Sequence, residues 1–343
     1  MTAAPASTLD FPFPDRPEFG TTQEVAPGIH WLRLALPFRL DHVNVYLLED
    51  GPGWTVLDTG IGNDETKAIW QRLLGSMLAS RPVTRVIVTH FHSDHAGMAG
   101  WLCGATAAPL CMSQTEYLTS LVLHQRPEQL EAEPYRSFYL GHGLPADVTM
   151  ELLANGHRYL RMLTGLPPTF RRLVAGETLD IGGRQWEVLT GGGHAPEQVM
   201  LHCPADHILL AADQIMARIS PNISVQAMDP EGDPLGIYVR SLHTFRTSIP
   251  ADTLVLPGHN LPFHGLHTRA EELLAHHESR CEAILDACRT QPRTAAEMVP
   301  VVFRRTIDDP HQMGFAFSEA LAHINYLVRS THLRHENGRY FTT

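Results

Sequence analysis

The 343-residue sequence predicts an α/β protein in which two sheets pack between helices, carrying a helical insert and a C-terminal unit of three helices and a β-wing. Three observations carry that reading. Short runs rich in β-branched and aromatic residues cluster twice, before residue 113 and after about residue 170; helical periodicity separates the two clusters; and from residue 267 helical patterns take over.

Composition bounds the function classes. With 43% hydrophobic residues the chain can bury a full core. The net charge of −11 argues against a general polyanion binder, because nucleic-acid modules show a basic surplus. Lys67 is the only lysine, a bias that runs through the whole chain and says little about function. The five cysteines (Cys103, Cys111, Cys203, Cys281, Cys288) form no C-x-x-C pair and read as scattered buried thiols in a reducing compartment. The first twenty residues lack a basic start followed by an apolar core, and nowhere do eighteen apolar residues run together. A cytoplasmic protein without membrane attachment is expected.

In chain order, residues 1–24 read as a loose, proline-rich arm or strap. GIHWLRLAL, VNVYLLED and GWTVLDTG are strands divided by Pro-Phe and Gly-Pro-Gly turns. NDETKAIWQRLLGSML is a helix capped by Asn63 or Asp64, with Ile69, Leu73, Leu74 and Leu78 on one face. RPVTRVIVTH is a buried strand ending at His90, SDHAGMAGWLCG opens a helix, and APLCMS is a strand. Residues 113 to about 170 form the helical insert, with Tyr117, Tyr135, Tyr139 and Tyr159 along it. Strands return at ETLDIGGRQWEVLTGG, VMLHCP, HILLAAD and TLVLPGH. These elements place one domain over 25–266 and a second over 267–343. The second reads as a winged-helix layout, with Asn337-Gly338 turning its hairpin and Phe315, Leu321, Ile324 and Leu327 in its core.

VTHFHSDHAG crowds His90, His92, Asp94 and His95 into six positions after an apolar run. Imidazoles and carboxylates without thiolate suit zinc, manganese or iron. Partners are available at the ends of later strands: His194 in TGGGHAPE, Asp213 in LLAADQI and His259 in TLVLPGHN, all able to meet at one rim of the sheets. This set of motifs resembles the metallo-β-lactamase superfamily in its dinuclear, glyoxalase II-like version over about residues 25–265. The resemblance implies an αββα sandwich and two divalent metal ions, zinc first, with manganese or iron as alternatives. It assigns His90, His92 and His194 to one metal and Asp94, His95 and His259 to the other, with Asp213 bridging. Asp58, in VLDTG, matches an aspartate that lies near the metals without ligating them. The tail resembles that of the β-lactamase-like protein 2 group. Two positions depart from the family pattern: Ala195 stands where many members have Ser or Thr, and Glu197 where glyoxalase II has glycine.

The chemistry implied is hydrolysis of a small ester or thioester by a metal-bridging hydroxide, with Asp213 as bridge and Asp94 available for proton transfer. The same ligands suit a lactonase or an endoribonuclease. From another class, the tail suggests a nucleic-acid-binding regulator. Its nine arginines against ten acidic residues make it a poor recognition face. The expected partner is a small molecule, with a homodimer as a further expectation. The insert, the loop RISPNISVQ and the tail are the expected pocket walls, and Arg171-Arg172 and Arg304-Arg305 are candidates for holding coenzyme A phosphates. His42, His276 and His277 are left without a role.

Overall fold

The computed structural model describes residues 9–307 and 309–343. Two sheets form its centre. The first takes its strands in chain order: β1 (Thr22–Ala26), β2 (Ile29–Ala35), β3 (His42–Asp50), β4 (Gly53–Leu57), β5 (Val83–Ile87), β6 (Leu110–Met112) and β7 (Arg171–Arg172). β1 to β4 pair antiparallel and β4 to β7 parallel. The second sheet runs β12 (Leu254–Pro257), β11 (Ile208–Ala212), β10 (Gln198–Cys203), β9 (Arg184–Gly191), β8 (Thr178–Ile181), antiparallel except for the β11–β12 pair.

Period-two alternation explains why the sheets stack. On β3, Val43, Val45 and Leu47 face an outer core, while Tyr46 and Leu48 face the second sheet. On β11, Ile208 and Leu210 face the first sheet, while Leu209 and Ala211 face the other way. The inter-sheet layer holds Trp31 and Trp186, both fully buried. Helix α1 (Asp64–Leu74), capped by Asn63 Oδ1 accepting from Thr66 N at 2.8 Å, covers the first sheet's outer face with Ile69, Trp70 and Leu73. Helices α2 (Ser93–Ala96) and α3 (Ala99–Thr106) join it there. The result is the expected αββα sandwich.

The insert is helical to Leu160: α4 (Gln114–Gln125), a short 3₁₀ turn (Pro127–Glu131), α5 (Glu133–Gly141) and α6 (Ala146–Leu160). After β11 comes α7 (Pro234–Ser248). The tail is α8 (Leu266–Thr290), α9 (Ala295–Phe303), α10 (Pro310–Arg329) and the hairpin β13 (Leu333–Glu336) and β14 (Arg339–Thr342). Asn337 and Gly338 have φ of 50° and 75°, as the hairpin turn demands. α7, the tail helices and parts of α5 and α6 share one continuous apolar core on the second sheet's outer face.

The structure departs from expectation at several points. β1 begins inside the stretch read as an arm, whose residues 1–8 lie outside the described residues; Asp10 pairs with His264 as a strap. α7 was not anticipated, although Asp233 caps it, Pro234 starts it and Leu235, Tyr238, Leu242 and Phe245 give its buried face. The helix expected from Ser93 is broken, because Met98 N donates to Gly60 O at 3.1 Å. Phe315 is 52% exposed rather than core, whereas Leu321, Ile324 and Leu327 are buried. It lies two residues before buried Phe317, about 200° round a helix with 3.6 residues per turn.

Candidate metal centre

β5 ends at Ile87, three residues before His90, so the histidine loop starts earlier than expected. Asp58, in the left-handed region at φ 64°, draws the chain out of the ladder: its Oδ1 accepts from Thr89 N at 2.8 Å. The carbonyl of Thr89 crosses to the second sheet and accepts from Val199 N at 2.8 Å. The loop is therefore pinned between the two sheets.

Three ring nitrogens meet there. His90 Nε2 and His194 Nε2 each lie 3.0 Å from His92 Nδ1. A second set is formed by Asp94, His95 and His259, and a third by His90, His95 and Asp213; within each group the ligating atoms lie within 4.8 Å of one another. Asp213 stands between the sets. Its Oδ2 is 3.4 Å from His194 Nε2 and 3.2 Å from His259 Nε2, and its Oδ1 is 3.4 Å from His95 Nε2. Asp94 Oδ2 is 3.4 Å from His259 Nε2 and 3.7 Å from His95 Nε2. All seven residues named from the sequence converge, and Asp58 lies directly behind them.

What turns the rings inward is a set of acceptors on their far side. Asp58 Oδ2 accepts from His95 Nδ1 at 2.8 Å and from Thr89 Oγ1 at 2.9 Å, which leaves Thr89 Oγ1 to accept from His90 Nδ1 at 3.0 Å. The carbonyl of His42 accepts from His259 Nδ1 at 2.7 Å, and that of Asn222 from His194 Nδ1 at 2.9 Å. With Nδ1 committed, these four rings present Nε2 lone pairs to the cluster. Strain accompanies the arrangement: Ala212, just before Asp213, and Asn260, just after His259, also have positive φ, 46° and 66°.

Electrostatics divide the cluster. Burial, reinforced by the neighbouring histidines, pushes His90 well below the usual imidazole range and His92 down to about 3. These rings are neutral, as ligands must be. Around Asp213 the sign reverses. Burial opposes ionisation, yet His259 and His95 hold Asp213 well below the carboxylate range, and the carboxylates in turn lift His259 to about 10 and His95 well upward. The buried carboxylates thus demand positive charge, which ring protons or a bound cation can supply. His95 Nε2 and Asp213 Oδ1 are buried 3.4 Å apart and make no hydrogen bond. Two orphaned polar atoms in a cluster of nitrogen and oxygen donors fit a divalent cation. Gly258 keeps the space open, since a Cβ there would lie 2.2 Å from Asp213 Oδ1.

Sequence reasoning missed several supports. His42 Nε2 accepts from Asn260 N at 2.9 Å, so both ends of this residue hold the His259 loop. Glu116, fully buried and pushed up to about 7 by burial, accepts from Phe91 N at 3.0 Å and Glu197 N at 2.6 Å, tying the histidine loop to the His194 turn. Asn222 Nδ2 donates to Glu319 Oε2 at 3.1 Å, and Glu319 pairs with Arg280, so α8 and α10 reach the back of His194. The other sequence candidates lie elsewhere. Tyr117 is buried, stacked on Phe170 and bonded to Pro167 O; the side chain of Tyr159 is outside the described residues. Neither Arg171-Arg172 nor Arg304-Arg305 lines the cavity beside His194, whereas Tyr135, Tyr139 and Ser224 to Gln226 do.

Comparisons agree with this geometry. The family described as Metallo-beta-lactamase superfamily matches residues 38–259, and one described as Metallo-beta-lactamase-like, C-terminal domain matches residues 281–341. A beta-lactamase domain protein from Burkholderia ambifaria has 40% sequence identity and a TM-score of 0.90, with 98% of each chain covered. A metallo-beta-lactamase family protein from Thermus thermophilus, TTHA1429, has 28% identity and a TM-score of 0.78, covering 93% of this chain and all of the other. The probable metallo-hydrolase YqjP of Bacillus subtilis (strain 168) is 24% identical over 313 residues, 90% of this chain and 93% of the relative. The chain belongs to the metallo-beta-lactamase superfamily, as a metal-dependent hydrolase with a His/Asp cluster able to bind metal.

Proposed function

We propose that the protein cleaves a small ester or thioester at a dinuclear, glyoxalase II-like centre, zinc being the first choice of metal and manganese or iron the alternatives. His90, His92 and His194 would hold one ion, Asp94, His95 and His259 the other, and Asp213 would bridge them. The observation that carries the reading is the position of Asp213, with one oxygen near His194 and His259 and the other orphaned against His95. Bound divalent ions supply Lewis acidity and lower the pKa of water from near 16 to about 7. The chain's own residues do the rest. Thr89, Asp58, Asn222 and His42 fix the ligand rings, and Asp94, at 21% the more exposed of the two cluster carboxylates against 6% for Asp213, is available to pass a proton to the leaving group.

The tail is read as a winged-helix unit that supports the site rather than one that binds nucleic acid, because Glu319, paired with Arg280, reaches inward to Asn222. The five buried, unpaired cysteines fit the cytoplasm, and no helix among the described residues is long and apolar enough to cross a membrane.

The test follows thioester absorbance across a panel of acyl thioesters, wild type beside Asp213→Ala, with metal content measured for both. The expected result is two ions per chain in the wild type and a fall in turnover of at least about a thousandfold in the variant, as for loss of a main transition-state stabiliser. Full turnover by Asp213→Ala would remove the bridging role. Inactivity of both on thioesters would move lactones, then RNA, to the front.

A further inference from the structure

Beside His194 opens a cavity of about 400 Å³ that none of the ligand assignments uses. Phe91 and His194 form its floor on the metal side. Its walls come from separate elements: Leu123 of α4, Tyr139 of α5, Leu152 of α6, Val225 of the loop after Asp213, and Ile237 of α7. Ile237 and Met228, which also lines it, are 42% and 51% exposed, among the few large apolar side chains left open to solvent. Among the described residues the cavity lining contains no lysine or arginine; its charged members are Asp229 and Asp233, and Asp233 is committed to capping α7 by accepting from Gly236 N at 2.9 Å.

From this lining we infer that the cavity receives the uncharged hydrocarbon acyl chain of the substrate, placing its carbonyl at the metal cluster. The inference rests on the ester or thioester reading above and narrows it to acyl groups longer than acetyl. Apolar walls favour the chain in proportion to the area they remove from water, and the two aspartates, with no Lys or Arg among the described lining residues, disfavour a carboxylate or phosphate at the far end. A pocket of this volume and polarity is the usual size for a small-molecule group.

The experiment uses the full-length metal-loaded protein and thioesters of the neutral thiol N-acetylcysteamine, from acetyl to dodecanoyl. kcat/KM is expected to rise about fourfold for each methylene until the cavity is filled, the factor that burial of one CH₂ group provides. Ile237→Trp and Leu123→Trp, which add bulk to the lining from two different helices, should each lower the octanoyl-to-acetyl ratio at least tenfold. A flat length profile, or one that follows the length of the thiol instead, would overturn the assignment while leaving the hydrolase reading intact. If no thioester is turned over, the ester and thioester reading fails, and displacement of a neutral fluorescent dye by straight-chain alcohols decides the cavity separately. Displacement that strengthens with chain length and is weakened in Ile237→Trp would sustain it. No displacement would overturn it.

Discussion

Two places in this protein crowd histidines into the interior, and only one of them has the makings of a metal centre. In the tail, His277 of α8 and His323 of α10 are both buried, with His277 Nδ1 donating to His323 Nε2 at 3.0 Å and His323 Nδ1 donating to Glu319 O at 2.7 Å. Burial pushes them down to about 2 and about 3. This pair is a chain of neutral hydrogen bonds that stops at His277 Nε2, a buried ring nitrogen without a hydrogen-bond partner, and it belongs to no group of three metal-competent side chains among the described residues. At the sheet rim, three ring nitrogens face one another and buried carboxylates stand among them, and every metal-competent group found among the described residues lies there. Histidine density alone therefore does not make a site; convergent lone pairs with carboxylates among them do.

The two places are linked through Glu319, whose carbonyl serves the tail pair and whose carboxylate reaches Asn222 behind His194. Glu319→Ala is expected to give the largest effect, because it leaves the partly buried Arg280 cation unpaired: about 3–5 kcal/mol of stability, read from chemical denaturation, together with weaker metal binding. Glu319→Gln, which keeps an acceptor for Asn222, should retain more metal affinity than the alanine variant in chelator competition. Equal affinities would cut the proposed line from tail to site.

Next in size is Asp58→Asn. The amide cannot accept from His95, Thr89 N and Thr89 Oγ1 together, so metal affinity should fall about 10- to 100-fold with the fold retained. Unchanged affinity would show that the His95 ring is oriented by packing alone.

The ease of reading this site from sequence has a physical cause. His90 to His95 are contiguous, and His194, Asp213 and His259 each follow an apolar strand, so residue identity itself carries the function. The supports behind them were invisible for the opposite reason. His42 and Asn222 hold ligand rings with backbone carbonyls, which any residue supplies, and Glu319 reaches Asn222 across 97 positions of sequence. Glu116 looks like an ordinary residue in the first turn of a helix and is assigned only by its burial and the two backbone N–H groups it accepts from. In the fold, the strand runs were legible because most are short, β-branched and aromatic apolar stretches buried on both faces. β1 and the two-residue β7 were not, being short edge strands with little apolar content, whereas α7 carried its Asp-Pro start in plain view.

The smallest effect sharpens the comparison from the tail side. His323→Leu removes the acceptor of a buried N–H and should cost about 1–3 kcal/mol at neutral pH while leaving metal affinity unchanged. Its pH dependence has a definite sign. In the folded wild type His323 stays unprotonated down to about 3, whereas in the unfolded chain a histidine takes a proton near pH 6.5. Between those values the unfolded state binds more protons, so this residue's share of stability is fully present above about pH 6.5 and is lost as pH falls toward 3. Leucine has no proton to take. The stability of His323→Leu should therefore fall less steeply with acid than that of the wild type, by up to about 1.4 kcal/mol per pH unit for one proton. Denaturation of both proteins in chelator at pH 7, 6 and 5 measures this directly, since the metal ligands contribute equally to each and cancel in the difference. Parallel curves would mean that His323 takes up its proton in the folded protein at the same pH as in the unfolded chain, and that the tail pair is less unlike the metal centre than its neutral hydrogen-bond chain implies.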